Sequence, residues 1–583
     1  MESFRQRNAR ARWTRVIGYL GLAACGALTP LQSAAADTPA HPRLILQITV
    51  DALRGDLLDR YAHVLGEGGF RMLLDEGVVF TNVHYAHANT ETIVGHASLA
   101  TGTVPAVHGM VGNVWFDRQA GRLLYNIEDA KYRLLSADAD VDQSTEIDPT
   151  QKAAKSDGRS PENILSSTFS DELAVRFSGR SKIFGVSVKD RGAVSMAGHA
   201  GKAFWFSKKT GDFVTSNYYY DQYPAWVSEW NAKKAVAAYA DTAWTLSKPA
   251  GDYIFGDADD QDYETDVAGF GVTFPHAYGP ADDKYFTTKL TLSPAGDELT
   301  LDFALALLDE EQLGMDDVPD YLAVSFSSTD YVGHAFGASS LETEDNLLRL
   351  DRVLARLFAA VDKKIGLANT LIVLSADHGQ PEVPGHLHKL GLGIGSAAYF
   401  DADNLIGPAM DATLKDRFGI GNALIQNYFH PYIYLNEALI ALDGLDAEEV
   451  SGAIIEVLER QPGVAYAFSS AALMKNRLAP APTATARMVV NNFNSRRSGD
   501  IYVVFAPNIY INDFDGLRVS SAHGSPWRYD TFVPVIFAGH DIQAARIHRE
   551  VTPYDVAPTL AAYVGAKPPS GAVGAVLDEV LKD

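Results

Sequence analysis

Cysteine is nearly absent from this chain: 583 residues contain one, Cys25. Disulfides therefore contribute nothing to the fold, and any metal site must be built from imidazoles and carboxylates. Positive charge is also scarce. Lys and Arg total 49 against 73 Asp and Glu, for a formal net charge of −24. This argues against nucleic acid as a partner, because binding a phosphate backbone needs a basic surface. A small anionic substrate is not excluded, since bound cations invert the field locally. Long apolar runs are missing too. The stretch from Val16 to Leu28 is too short for a comfortable transmembrane span. There is no internal repeat and no long low-complexity tract.

The first residues follow an order that a merely frayed terminus does not explain. Arg5, Arg7, Arg10, Arg12 and Arg15 come first, then the apolar segment, then Ser33-Ala34-Ala35-Ala36. Basic, apolar and small residues in that sequence predict an export signal over residues 1–36, with residues 37–583 as the working protein. No consecutive arginine pair is present, which favours the general secretion route. A periplasmic or secreted protein is expected. Leu22-Ala23-Ala24-Cys25 also resembles a lipoprotein box, which would lipidate Cys25 and tether the protein to a membrane.

Four near-continuous apolar runs predict strands buried on both faces: 43–50, 182–188, 321–326 and 370–374. Leu347, Leu350, Leu354, Leu357 and Val361 fall on one face of a long helix, and 301–313 is a second helical candidate. Alternating strands and helices predict an α/β fold, a mostly parallel central sheet sandwiched by helices. Residues 114–180, 200–300 and 381–500 have weaker periodicity and are expected to be inserted accessory or cap regions. Ligands of such sheets gather outside the C-terminal strand ends. Asp51, Lys189, Asp330 and Asp377 all stand there.

The stretch from His87 to Asn113 follows a short apolar run, Gly77-Val78-Val79-Phe80. Within it, Thr92 stands where the pattern turns helical. A helix start presents free N–H groups and partial positive charge to an anion. A hydroxyl there becomes a useful nucleophile only if something takes its proton. Metal ligands are available to help. Asp330 and His334 are one helical turn apart, Asp377 and His378 are adjacent, and His523 lies in a loop of small residues. With Asp51 they make three aspartates and three histidines, a nitrogen-and-oxygen set suited to two zinc ions.

These residues, in the order Asp, Thr, Lys-x-Arg, Asp-x-x-x-His, Asp-His, His, resemble the alkaline phosphatase superfamily. Within it the resemblance is to the threonine-nucleophile alkaline phosphatases of the type I phosphodiesterase/nucleotide pyrophosphatase group. The resemblance implies one zinc on Asp330, His334 and His523, holding the leaving oxygen. It implies another on Asp51, Asp377 and His378, holding Thr92 as the nucleophile that becomes a phosphothreonine. Thr90 is the rival nucleophile; Thr92 is preferred because His96 stands four residues on and Asn113 twenty-one residues on.

Lys189 and Arg191 bear on substrate class. Two positions apart at a strand end, they are expected to face the same way and to bind the three charged oxygens of a transferring monoester phosphoryl group. In the resembled group, the phosphomonoesterases have this pair and an asparagine matching Asn113, and the nucleotide diesterases lack the pair. The expected substrates are thus small phosphate monoesters, with inorganic phosphate as product and inhibitor, and a nucleotide or alkyl phosphodiesterase is the alternative. Some members of the superfamily use a third ion, magnesium; in the resembled subgroup the lysine takes that place, so the resemblance implies no magnesium requirement. Sulfatases share the core but use a modified Cys or Ser in Cys/Ser-x-Pro-x-Arg, which Thr92-Ile93-Val94-Gly95-His96 does not fit.

Overall fold

Four adjacent strands of a nine-stranded sheet explain the four apolar runs. In this computed structural model, which describes residues 41–392, 399–400, 405–475, 483–511 and 518–581, Leu44–Val50 runs through the middle with all seven residues buried. Asp320–Phe326 pairs parallel on one side of it and Thr370–Ser375 on the other. Ile183–Ser187 and Lys202–Phe206 extend the parallel array beyond Asp320–Phe326. The edges are mixed. Phe213–Val214 closes one side antiparallel. On the other side Val535–Gly539 and Val78–Phe80 run antiparallel to their predecessors, and Ala545–Ile547 is parallel at the end. Strands covered on both faces have no solvent side, so their sequences do not alternate. The expected export signal, residues 1–36 with Cys25, lies outside the described residues.

Helices cover the sheet. Leu341–Lys364 buries the leucine face expected of it; Ser340 caps its start by accepting from the Thr343 N–H, and Lys363 and Lys364 complement the dipole at its end. Pro294–Glu310 is the second expected helix, displaced seven residues toward the N-terminus at its start. Thr92–Thr101 is buried along its whole length. Asp190–Ala197 lies against Ile183–Ser187, where Gly185 has no side chain to obstruct it: a Cβ there would stand 2.3 Å from the Ala193 carbonyl oxygen.

The segment 200–300, expected as an insertion, begins inside the sheet, since Lys202–Phe206 and Phe213–Val214 are both sheet strands. These strands are short and aromatic, so periodicity alone did not reveal them. Residues 114–180 start with a hairpin, Val114–Asp117 with Arg122–Tyr125. The segment 381–500 builds a second antiparallel sheet. Its order is Ile425–Phe429, Tyr432–Leu435, Ile501–Phe505, Val464–Ser469. Ile433, Ile454, Leu414 and Val503 give it a core of its own.

Candidate active site

Four neighbouring strands deliver most of the site from their C-terminal ends. In sheet order, Thr370–Ser375 leads to Asp377 and His378, Leu44–Val50 to Asp51, Asp320–Phe326 to Asp330 and His334, and Ile183–Ser187 to Lys189 and Arg191. Asp330 and His334 share one face of the helix Ser328–Phe336, as their spacing implies. Lys189 and Arg191 converge for a different reason from the one expected. The strand stops at Ser187, Lys189 caps the following helix, and Arg191 lies in that helix's first turn. Strand alternation plays no part.

The carboxylates crowd together. Lys189 Nζ lies 2.6 Å from Asp51 Oδ2 and also pairs with Asp330 Oδ2. Its ammonium stands 4.8 Å from the centre of the Tyr331 ring. Burial works against the charge on Lys189, but Asp330 and Asp51 more than offset it and hold its pKa above the usual lysine value. Asp330 Oδ1 lies 3.4 Å from His334 Nε2 and 3.3 Å from His523 Nε2. His378 Nε2 lies 3.3 Å from Asp51 Oδ1 and 3.5 Å from Asp377 Oδ2.

Each imidazole is oriented from behind. Nδ1 of His334 lies 2.7 Å from the Ser521 carbonyl, that of His378 lies 2.9 Å from the Gly379 carbonyl, and that of His523 lies 2.8 Å from the Thr90 carbonyl. A carbonyl only accepts, so Nδ1 carries a hydrogen and Nε2 is the nitrogen turned toward the carboxylates. Metal-binding histidines are held in this way.

Several of these atoms have no hydrogen bond. Asp51 Oδ1, Asp330 Oδ1 and His378 Nε2 are buried without one among the described residues. Buried polar groups are rarely left so, and a bound ion is one of the few things that satisfies them. Two donor groups fit a metal: Asp330 with His334 and His523, and Asp51 with Asp330 and His378, each set of ligand atoms lying within 4.8 Å. The first group matches the expected set. In the second, Asp330 stands where Asp377 was expected. Asp377 Oδ1 accepts from the N–H groups of Ala52 (3.1 Å) and His378 (3.0 Å), and its Oδ2 is 3.1 Å from His96 Nδ1.

The same charge surplus appears in the histidines. Burial disfavours a charged His378, but Asp377 and Asp51 overcome it and push its pKa up to about 9. Burial, reinforced by charge on His378, brings His523 down to about 4.

Thr92 opens its helix, and its neighbours set the stage around it. The Ile93 N–H donates to Asn113 Oδ1 (3.1 Å). Arg191 Nη2 lies 3.5 Å from Thr92 Oγ1, while Nη1 binds Asp148 Oδ2 at 3.0 Å. Asn113, Arg191 and Thr92 line one cavity with Asp330, His334 and His523. Thr90 is engaged elsewhere, its hydroxyl donating to the Ser525 carbonyl (3.0 Å). His386 contacts Tyr263 and belongs to neither donor group.

Three neighbours were not anticipated. Asp148 fixes Arg191, Glu91 accepts from the Asn113 N–H, and Tyr331 lies beneath the Lys189 ammonium. Glu91 is next to Thr92 in sequence, and burial raises it to about 7 despite bonds from Asn113 and Asn89. Asp148 caps the short helix Pro149–Lys152, but nothing near it in the sequence points to Arg191, 43 residues on.

A metal-ready cluster of aspartates and histidines beside a helix-start threonine, at the C-terminal ends of parallel strands, defines a phosphoric ester hydrolase of the alkaline phosphatase superfamily. The chain belongs to the family Type I phosphodiesterase / nucleotide pyrophosphatase, whose profile it matches over residues 45–526. It is 34% identical over 549 residues to "Alkaline phosphatase PafA" of Elizabethkingia meningoseptica, covering 93% of this chain and 95% of that protein. It is 34% identical over 555 residues to "Alkaline phosphatase PhoV" of Synechococcus elongatus, covering 94% of each. A third relative, from Myroides odoratus, is named "Calcium-transporting ATPase" and is 33% identical over 545 residues, 93% of this chain and 95% of that one. The crystal structure of wild-type PafA superimposes with a TM-score of 0.81 at 32% identity, covering 93% of this chain and 99% of that one. No helix among the described residues is long and apolar enough to cross a membrane.

Two outcomes follow from this geometry. A Cβ on Gly95 would meet the Asp377 carbonyl oxygen at 1.9 Å. Gly95→Ala should therefore push the threonine helix off the metal cluster, lowering the thermal midpoint by an amount equivalent to about 1–3 kcal/mol and reducing bound metal; unchanged metal content and midpoint would contradict the packing. The second concerns the metal-free protein. The folded-state pKa of His378, about 9, lies above the ordinary 6.5, so its charged form contributes stability fully present below pH 6.5 and lost as pH rises through 9. Melting curves of metal-free protein should show the midpoint falling across that window. His378→Gln should flatten the fall, and a midpoint that climbs instead would be the wrong sign.

Proposed function

We propose that the protein is an exported, zinc-dependent alkaline phosphatase that hydrolyses phosphate monoesters through a phosphothreonine on Thr92. The observation that carries this reading is the placement of Arg191. Asp148 holds one arm of the guanidinium, and the other arm reaches to 3.5 Å from the Thr92 hydroxyl. A planar fork there meets two oxygens of a phosphoryl group on its way to that hydroxyl.

Zinc held by Asp330, His334 and His523, and a second zinc held by Asp51, Asp377 and His378, would supply Lewis acidity, which lowers the pKa of a coordinated water from ~16 to ~7. The chain's own groups do the rest. Thr92 Oγ sheds its proton to solvent and attacks phosphorus in line, the P–O bond to the leaving group breaks, the leaving oxygen takes a proton from water, and the phosphoryl group rests on Thr92. Water then breaks the Thr92 ester and releases inorganic phosphate, which also competes for the site. Arg191 and Asn113 hold the non-bridging oxygens through both steps. Covalent capture divides one high barrier into two lower ones. Lys189 places its ammonium against Asp51 and Asp330, where a third divalent ion would otherwise be needed, so no magnesium requirement is expected.

The names of PafA and PhoV support phosphatase activity. A solved PafA variant carries changes at a threonine and an asparagine spaced as Thr92 and Asn113 are. It also carries changes at a lysine and an arginine two positions apart, as Lys189 and Arg191 are. Export rests on the N-terminal pattern alone, with lipid attachment at Cys25 as the variant of that reading. The second functional reading, a nucleotide or alkyl phosphodiesterase, is favoured by the family's name. A diester has one charge fewer for Arg191 to meet and a second organic group to place in the cavity that Arg191 lines.

Replacing Lys189 and Arg191 together with alanine should therefore cut kcat/KM for an aryl phosphate by about 1,000-fold or more, on the scale of removing transition-state donors, and for a bis-aryl phosphate far less. Equal losses would remove the pair's discriminating role. In the same preparation, Thr92→Gly should abolish the phosphoenzyme trapped at low pH; labelling that persists in Thr92→Gly and vanishes in Thr90→Gly would reassign the nucleophile.

A further inference from the structure

The residues lining the cavity over Thr92 are of two kinds. One, its floor, is the polar set already described. The other, its wall, is Ile147, Pro149, Val267, Leu292, Phe429 and Val519, none of which carries a polar side chain. These six come from five separate parts of the chain. Ile147 and Pro149 flank Asp148, which fixes Arg191, and Phe429 ends a strand of the small antiparallel sheet.

The charged groups bordering this wall are already engaged. Asp148 Oδ2 holds Arg191, and its Oδ1 accepts from both the N–H (2.9 Å) and the hydroxyl (2.6 Å) of Thr150. Glu91 Oε2 accepts from the Asn113 N–H and from Asn89 Nδ2 (3.2 Å). His430 stacks on Phe505 with ring centres 5.2 Å apart, and burial lowers its pKa to about 4, so it stays neutral. Against these six side chains a charged or heavily hydroxylated leaving group would lose its water and find no partner, the Tyr331 hydroxyl being the uncommitted polar group elsewhere on the lining, whereas an apolar one gains by leaving water.

We propose that this wall receives the leaving group of an aromatic phosphate monoester, a flat and uncharged organic group, and selects it over small or charged alcohols. The proposal rests on the phosphomonoesterase reading and names the substrate class for it. Phosphoryl contacts on the floor set the register, and Phe429 and Val267 take up the ring.

Non-hydrolysable phosphonates separate binding from chemistry. On the metal-loaded wild-type enzyme, benzylphosphonate should inhibit about tenfold or more tightly than ethylphosphonate, the discrimination a hydrophobic pocket gives for added apolar groups. Calorimetric titration should give benzylphosphonate the more negative heat-capacity change, as apolar burial requires. Phe429→Ala should weaken benzylphosphonate about fivefold or more while inorganic phosphate, which reaches only the floor, keeps its inhibition constant; Val267→Ala serves if that variant does not fold. Equal inhibition by the two phosphonates in the wild type overturns the proposal without any variant, as does a Phe429→Ala enzyme that loses phosphate and benzylphosphonate alike. A failure of the underlying reading looks different: no monoester is hydrolysed and inorganic phosphate does not inhibit.

Discussion

Three buried aspartates crowd around one ammonium, which pairs with two of them. Asp51, Asp330 and Asp377 are each at most 3% exposed, and Lys189, itself buried, is the cation placed between two of them. Removing ions from water costs several kcal/mol apiece even after the protein relaxes. The cost is tolerable only where the charges are compensated. Here compensation is incomplete, and the surplus pulls the nearby His378 toward its charged form. Divalent cations relieve the same surplus more fully than protons do, and they satisfy the carboxylate oxygens that have no hydrogen bond. The fold around the cluster serves to keep it from relaxing. Four adjacent strands fix the ends from which the ligands spring, and backbone carbonyls of Ser521, Gly379 and Thr90 lock the three imidazoles.

The same architecture divides labour between the sheet and what is added to it. Strand ends carry groups that could hold a metal, whose positions would have to be rigid to fractions of an ångström. Groups that meet the rest of a substrate come from the additions. Asp148 and its neighbours belong to the segment after the first hairpin, and Phe429 and His430 to the small sheet. Changes in those segments alter what fits the cavity without disturbing the charge cluster beneath it.

Much of this was legible in the amino-acid order because two strong signals coincided. Apolar runs without alternation located the central strands to within a residue or two, and each ended in a polar residue that proved to line the site. Asp330 and His334 declared themselves by helical spacing. The sheet's edge beyond Ile183–Ser187 was missed, because Lys202–Phe206 is five residues long and embedded in tyrosine-rich sequence. The Lys189 and Arg191 convergence was expected, though on a strand when a helix start produces it. Asp148 could not be foreseen: its role exists only because a loop returns to Arg191 from 43 positions away, and single-sequence patterns carry no record of such contacts. The sharing of Asp330 between both donor groups is likewise a property of three dimensions.

Diffraction from crystals of the full-length, zinc-loaded protein, collected on both sides of the zinc absorption edge, tests the central claim most directly. Two anomalous peaks are expected about 4 Å apart, one against Asp330, His334 and His523 and the other beside Asp51, His378 and the Thr92 hydroxyl. A map with no peak within coordination distance of those side chains, or with zinc bound only elsewhere on the molecule, would contradict the account.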